Sequence, residues 1–160
     1  MAPINVFVSF ASDDKSKCAD LLKALRGSAS EDRVVFDTYE IVPVLVGDLD
    51  NALAGRIAIA DVCLAVLSNQ YLKDERKTRH ELKMAVDARR DRGNPVLAFT
   101  FVDKVGKDWI LGRSAERIAL LGERDEAALP CFDADRQHFL PDINTVDKFI
   151  EQLEKTVAAV

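Results

Sequence analysis

The sequence is short of the residues from which most metal sites and catalytic triads are built. Of its 160 residues only two are histidines, His80 and His138, and three are cysteines, at positions 18, 63 and 131. No CxxC pair occurs, and zinc needs several convergent His, Cys or acidic ligands, so no metal is expected. An odd number of cysteines without paired spacing excludes a disulfide scaffold and fits a reducing compartment. Cys18 and Cys63 fall inside apolar patterns and read as small buried hydrophobes. No apolar run reaches the roughly 18 residues of a membrane span. The opening Met1-Ala2-Pro3-Ile4 has no basic segment before the first strand pattern, so no signal peptide is expected and the chain reads as cytoplasmic. Basic residues do not dominate either. Lys and Arg number 22 against 27 Asp and Glu, a net charge of −5, which argues against a general nucleic-acid binder. The cluster Arg89, Arg90 and Arg92 is interrupted by Asp87 and Asp91 and reads as a solvated helix end.

What the chain does have is apolar patterning. Hydrophobic residues make up 48% of it. A single domain over 1–160 is the natural expectation at this length, burying roughly 70% of its unfolded surface. Residues 4–10 are rich in β-branched and aromatic side chains and read as a strand. Ser12-Asp13-Asp14 then resembles a helix start, with a hydroxyl to cap free amides and two carboxylates at the positive end of the dipole. Cys18, Leu21, Leu22 and Leu25 form one helical face, which Gly27 closes. Arg33 to Asp37 reads as a second strand. After a loop from Thr38 to Gly47, Asp48 caps a helix with Leu49, Ala52, Leu53 and Ile57 inward. Asp61 to Leu67 and Pro95 to Val102 are continuous apolar runs, as expected of strands covered on both faces.

Between those two strands a helix is predicted from Asp74 to about Arg90, stopped by Gly93-Asn94-Pro95. Residues 103–128 are hard to read, with a short helical piece at Ile118 to Leu121. Leu129 to Phe132 reads as a fifth strand, and Val146, Phe149, Ile150, Leu153 and Val157 form the stripe of a last helix. Strands alternating with helices imply an α/β fold: a flavodoxin-like open parallel sheet of five strands, with helices on both faces and any site at the carboxyl ends of the strands.

Those ends lack the common fingerprints. There is no GxGxxG, no GxxxxGK[ST] and no GxSxG nucleophile elbow. A phospho-acceptor receiver domain shares the architecture, and Asp13-Asp14 mimics its acids. It would need an aspartate after the third strand, where this chain has Leu67-Ser68-Asn69. One carboxylate remains of interest. Glu81 lies roughly 90° from the centre of its helix's apolar stripe, bordering the core rather than pointing fully into water; an ordinary surface glutamate is the plainer reading.

Several motifs occur together in a recognisable order. The sequence resembles a Toll/interleukin-1 receptor (TIR) domain of the bacterial or plant-like kind. Val6-Phe7-Val8-Ser9-Phe10 resembles that family's first box. Phe36-Asp37, followed by Glu40, Pro43, Gly47 and Asp48, resembles the second strand and its loop. Asp61 to Leu72, with Val66-Leu67-Ser68 and Tyr71-Leu72, resembles the third strand and its continuation. His80-Glu81-Leu82 resembles the helix that carries the family's glutamate.

The resemblance implies an enzyme that cleaves NAD+ at the nicotinamide–ribose bond, giving nicotinamide and ADP-ribose or a cyclic isomer. It implies Glu81 as the catalytic group and NAD+ as substrate, with no other cofactor. Phe10, Ala11, Ser12, Glu40 and Lys77 are the implied substrate neighbours. Phe10 could equally be core packing, and Ser12 is more simply a cap. Pro43, Val44, Leu45 and Gly47 fall in the loop implied to gate the site and mediate self-association with other TIR domains. The implied setting is bacterial immune or stress signalling, including antiphage defence, with neither membrane nor direct nucleic-acid contact. Two departures stand out. Lys77 occupies the place of the family's frequent tryptophan, and Pro43 and Gly47 are farther apart than the usual adjacent pair. A non-enzymatic TIR adaptor and a nucleoside deoxyribosyltransferase-like N-glycoside enzyme are the alternatives.

Overall fold

A computed structural model describes residues 2–38, 46–74, 80–112, 114–121 and 143–158. Among these residues four strands form one parallel sheet: β1 (Ile4–Ser9), β2 (Val34–Thr38), β3 (Val62–Leu67) and β4 (Val96–Phe101), in the order β2-β1-β3-β4. This is the α/β, flavodoxin-like class expected from the alternating pattern. The proposed fifth strand at 129–132 and Cys131 lie outside the described residues.

Parallel pairing requires each connection to cross over the sheet, and the right-handed rule decides on which face. The step from β1 to β2 runs one way along the sheet and is made by α1 (Lys15–Ser28). The later steps run the other way, so α2 (Val46–Ile59) and α4 (Leu82–Arg92) cover the opposite face. α7 (Ile143–Ala158) packs beside α1. Strand alternation fills both layers. Val6, Val8, Leu64 and Val66 meet Cys18, Leu21 and Leu25 of α1 and Phe149, Ile150 and Leu153 of α7. Phe7, Cys63, Ala65 and Leu67 meet Leu53 and Ile57 of α2 and Leu82 and Ala85 of α4. All six residues of β3 and of β4 are buried, which is why these strands read as continuous apolar runs.

Asp61 holds the register at the other end of the sheet. Its carboxylate accepts from the Asn5 amide at 2.8 Å, and its own amide donates to the Asn5 carbonyl at 2.8 Å. Its carbonyl accepts from the Val96 amide at 2.9 Å, so one residue ties three strands.

Several boundaries differ from expectation. α1 continues through Gly27 to Ser28 and leaves the helix at Ala29, which is extended and buried. No positive φ is needed there, so glycine does not mark the end. α2 begins two residues before Asp48, which falls in its first turn and not at the cap. Asp74 is not helical. It follows a separate short helix, α3 (Asn69–Lys73), capped by the Ser68 hydroxyl. Gly93 ends α4 in the left-handed region (φ 84), as its sequence context predicts, with its amide donating to the Arg89 carbonyl at 2.8 Å. α5 (Lys104–Gly112) and α6 (Ala115–Leu121) occupy the stretch that was hard to read. Among the described residues no helix is long and apolar enough to cross a membrane.

Candidate functional site

Chain direction along the sheet reverses between β1 and β3. The connections that leave their carboxyl ends therefore go to opposite faces, and such a switch point is where open α/β sheets bind ligands. Three elements bring polar side chains to it. β1 ends on Ser9, which is only 1% exposed. β3 runs into Ser68 and the first turn of α3, which carries the buried Tyr71. The third contribution is the turn leading into α4, where His80 and Glu81 adopt a π-helical conformation. Such turns recur at functional sites because the widened ring re-aims a side chain. Leu82, wholly buried in the α2–α4 layer, seats this turn against the sheet.

Glu81 is consequently more deeply placed than helical periodicity implies: it is 6% exposed. A buried carboxylate needs partners, and Ser9 provides one. The Ser9 hydroxyl donates to Glu81 Oε2 at 2.6 Å and lies 3.0 Å from the Tyr71 hydroxyl oxygen. The Tyr71 amide donates to Ser68 Oγ at 2.9 Å, and the Ser68 hydroxyl donates in turn to the buried carboxylate of Asp14. Polar contacts thus run from the α4 entry across both strand ends to the start of α1.

Electrostatics reflect the burial. The Cys63 thiol, on β3, is pushed up to about 12 first by burial and then by the negative charge of Glu81. The Tyr71 phenol is pushed well above its ordinary range, again mainly by burial. Glu81, Cys63 and Asp74 add to the rise, and the Ser9 hydrogen bond opposes it. Both groups keep their protons at neutral pH. Among the described residues no group of three or more His, Cys, Asp or Glu side chains could hold a metal ion.

The residues singled out from the sequence are placed unequally. Glu81 is at the switch point, bonded to Ser9 at the end of β1. Ala11 is buried just beyond β1, in the same layer as Tyr71. Phe10 is not brought together with Glu81: alternation turns it to the other layer, where it lines a groove with Lys15, Cys18, Leu22, Lys23 and Arg26. Ser12 opens a 3-10 turn, Ser12–Asp14, before α1, and its side chain is outside those described. The residue in the N-cap position is Asp14. Gly47 lies in the first turn of α2. Glu40, Pro43, Val44, Leu45 and Lys77 lie outside the described residues. The flanks of the 39–45 segment are linked by Arg56, whose Nη1 donates to both oxygens of Asp37 at 2.8 Å.

Two residues outside the set expected from the sequence join the site: Ser9 bonds Glu81, and Tyr71 bonds Ser9. The signal for Ser9 was strand parity. Positions 7 and 9 share a face, so the serine and not Phe10 points toward the α2–α4 layer.

A family model described as TIR domain matches residues 6–131. No curated protein matches the chain significantly.

Proposed function

The chain belongs to the TIR-domain family, and from that premise we propose that it is an NAD+ glycohydrolase, with or without cyclase activity, whose reacting carboxylate is Glu81. The observation that carries this reading is the position of Glu81: a nearly buried carboxylate at the topological switch point, hydrogen-bonded by Ser9.

The chemistry asks for little more. When the nicotinamide–ribose bond breaks, its electron pair goes to the pyridinium nitrogen and nicotinamide leaves as a neutral ring. No general acid is needed. Positive charge develops on the ribose, as in other glycoside cleavages. A carboxylate in a water-poor pocket stabilises that charge strongly and can accept hydrogen bonds from the ribose hydroxyls. Water then adds to the anomeric carbon and loses a proton, giving ADP-ribose. Attack by an adenine nitrogen of the same molecule gives a cyclic product instead.

TIR domains generally self-associate. We place the apolar pair Val44-Leu45 in that contact, and the active form is an assembly of TIR domains with NAD+ bound. The test is chromatography of products after incubating concentrated protein with NAD+ and, separately, with deoxynucleosides. Nicotinamide release from NAD+ that is lost in Glu81→Ala supports the proposal. Activity confined to deoxynucleosides contradicts it.

Lys77 in place of the family's frequent tryptophan favours a second reading, an adaptor that recruits other TIR domains without catalysis. It predicts that Val44 or Leu45 substitutions abolish association while Glu81→Ala changes nothing.

A further inference from the structure

The hydrogen bonds around Glu81 have a direction. An ionised carboxylate only accepts, so at 2.6 Å the Ser9 hydroxyl must spend its single proton on Glu81 Oε2. The Ser9 oxygen can then only accept along its contact with the Tyr71 hydroxyl at 3.0 Å, so Tyr71 is the donor there. The chain therefore runs one way, from Tyr71 through Ser9 to Glu81.

We propose that Ser9 and Tyr71 are positioning residues that hold the Glu81 carboxylate in a fixed plane and orientation through this one-way relay. The proposal rests on the NAD+-cleaving reading of the same site. Each part has a separate anchor in the fold. Ser9 is the last residue of β1, so its backbone is fixed by pairing with Ala65 of β3. Tyr71 is held by the hydrogen bond that its backbone amide donates to Ser68 Oγ and by complete burial. The groups that act on Tyr71 include, among the described residues, Ser9 from β1, Cys63 from β3, Glu81 from the entry of α4, and Asp74 at the end of its own helix. Burial first, and then the charge of the Glu81 and Asp74 carboxylates, keep the phenol a neutral donor. Two rigid elements thus impose the orientation of a glutamate borne on a third. A bond from Ser9 to a charged partner is stronger than one between neutral groups, and donation from Tyr71 into Ser9 polarises it further.

Ser9 and Tyr71 are both buried, so the relay acts on turnover and not on binding. Ser9→Ala is expected to lower kcat by about tenfold or more with KM within about twofold, as loss of a charge-assisted hydrogen bond implies. Ser9→Thr restores the hydroxyl and recovers most of the rate. Tyr71→Phe gives a smaller loss in kcat. Because the two bonds act in series, Ser9→Ala/Tyr71→Phe is no slower than Ser9→Ala alone.

A second readout needs no activity. In a Tyr39→Phe background Tyr71 is the single tyrosine, and its hydroxyl-bearing ring carbon gives one NMR signal. That signal moves in Ser9→Ala and also in Glu81→Ala, which is two bonds away. If wild-type protein releases no nicotinamide, the functional reading fails and this signal alone decides the relay. Additive losses in kcat, no rescue by threonine, or a Tyr71 signal unmoved by Glu81→Ala overturns the relay even where NAD+ is cleaved.

Discussion

Cys63 and Tyr71 show how burial beside one carboxylate affects stability. The Cys63 thiol rises from an ordinary 9.0 to about 12 in the folded chain. Below pH 9 both native and unfolded states carry the proton, so the shift costs nothing. Above it the unfolded state releases the proton and the native state retains it, so stability falls until about pH 12. Tyr71 adds to the same fall above its ordinary 10.0. Urea midpoints measured between pH 8 and 11 should therefore decline steadily, and more gently in Cys63→Ala. A flat profile would remove this account of the site's burial. The residue scale is also where the sequence was least legible. Periodicity put Glu81 at the border of the core but could not see that a π turn carries it inward. Strand parity points Ser9, and not the neighbouring ring of Phe10, toward the α2–α4 layer.

Single contacts decide how α3 and α5 sit, and neither helix was visible as apolar periodicity. α3 has five residues and α5 nine, too few for a stripe to register. Their signals were caps. Ser68 caps α3, and Asp103 accepts from the amides of Asn69 at 2.9 Å and Gly106 at 2.8 Å, tying the starts of both helices together. Ser68→Ala removes a cap and leaves the buried Asp14 without that donor, so it should cost about 2–3 kcal/mol in denaturant unfolding. Gly106 marks a close approach, because a Cβ there would lie 2.4 Å from the Leu67 carbonyl oxygen and 2.6 Å from its carbon. Gly106→Ala must push α5 off the end of β3 and should destabilise by about 1–3 kcal/mol. Gly55, on an exposed helical position with nothing near its absent Cβ, should behave oppositely. Gly55→Ala is expected to stabilise by about 0.5–1 kcal/mol. Thermal melts of the two variants, compared side by side, check both signs.

At the scale of the molecule the fold was legible because its hydrophobic runs are long and differ in period. The buried runs of β3 and β4, the face of α1 and the stripe of α7 each required a covered sheet, and the alternation of strand and helix required parallel strands. Strand order places the switch point between β1 and β3, where Ser9 at the end of β1 holds the Glu81 carboxylate. If catalysis depends on assembly, turnover per molecule should rise with protein concentration, and Leu45→Ala should abolish that rise without unfolding the chain. The most direct test of the account is nicotinamide release from NAD+ by wild type and by Glu81→Gln, which keeps the shape of the side chain and removes its charge. The account predicts release by wild type and a fall of about a hundredfold or more in the variant. Equal rates from the two proteins would contradict it.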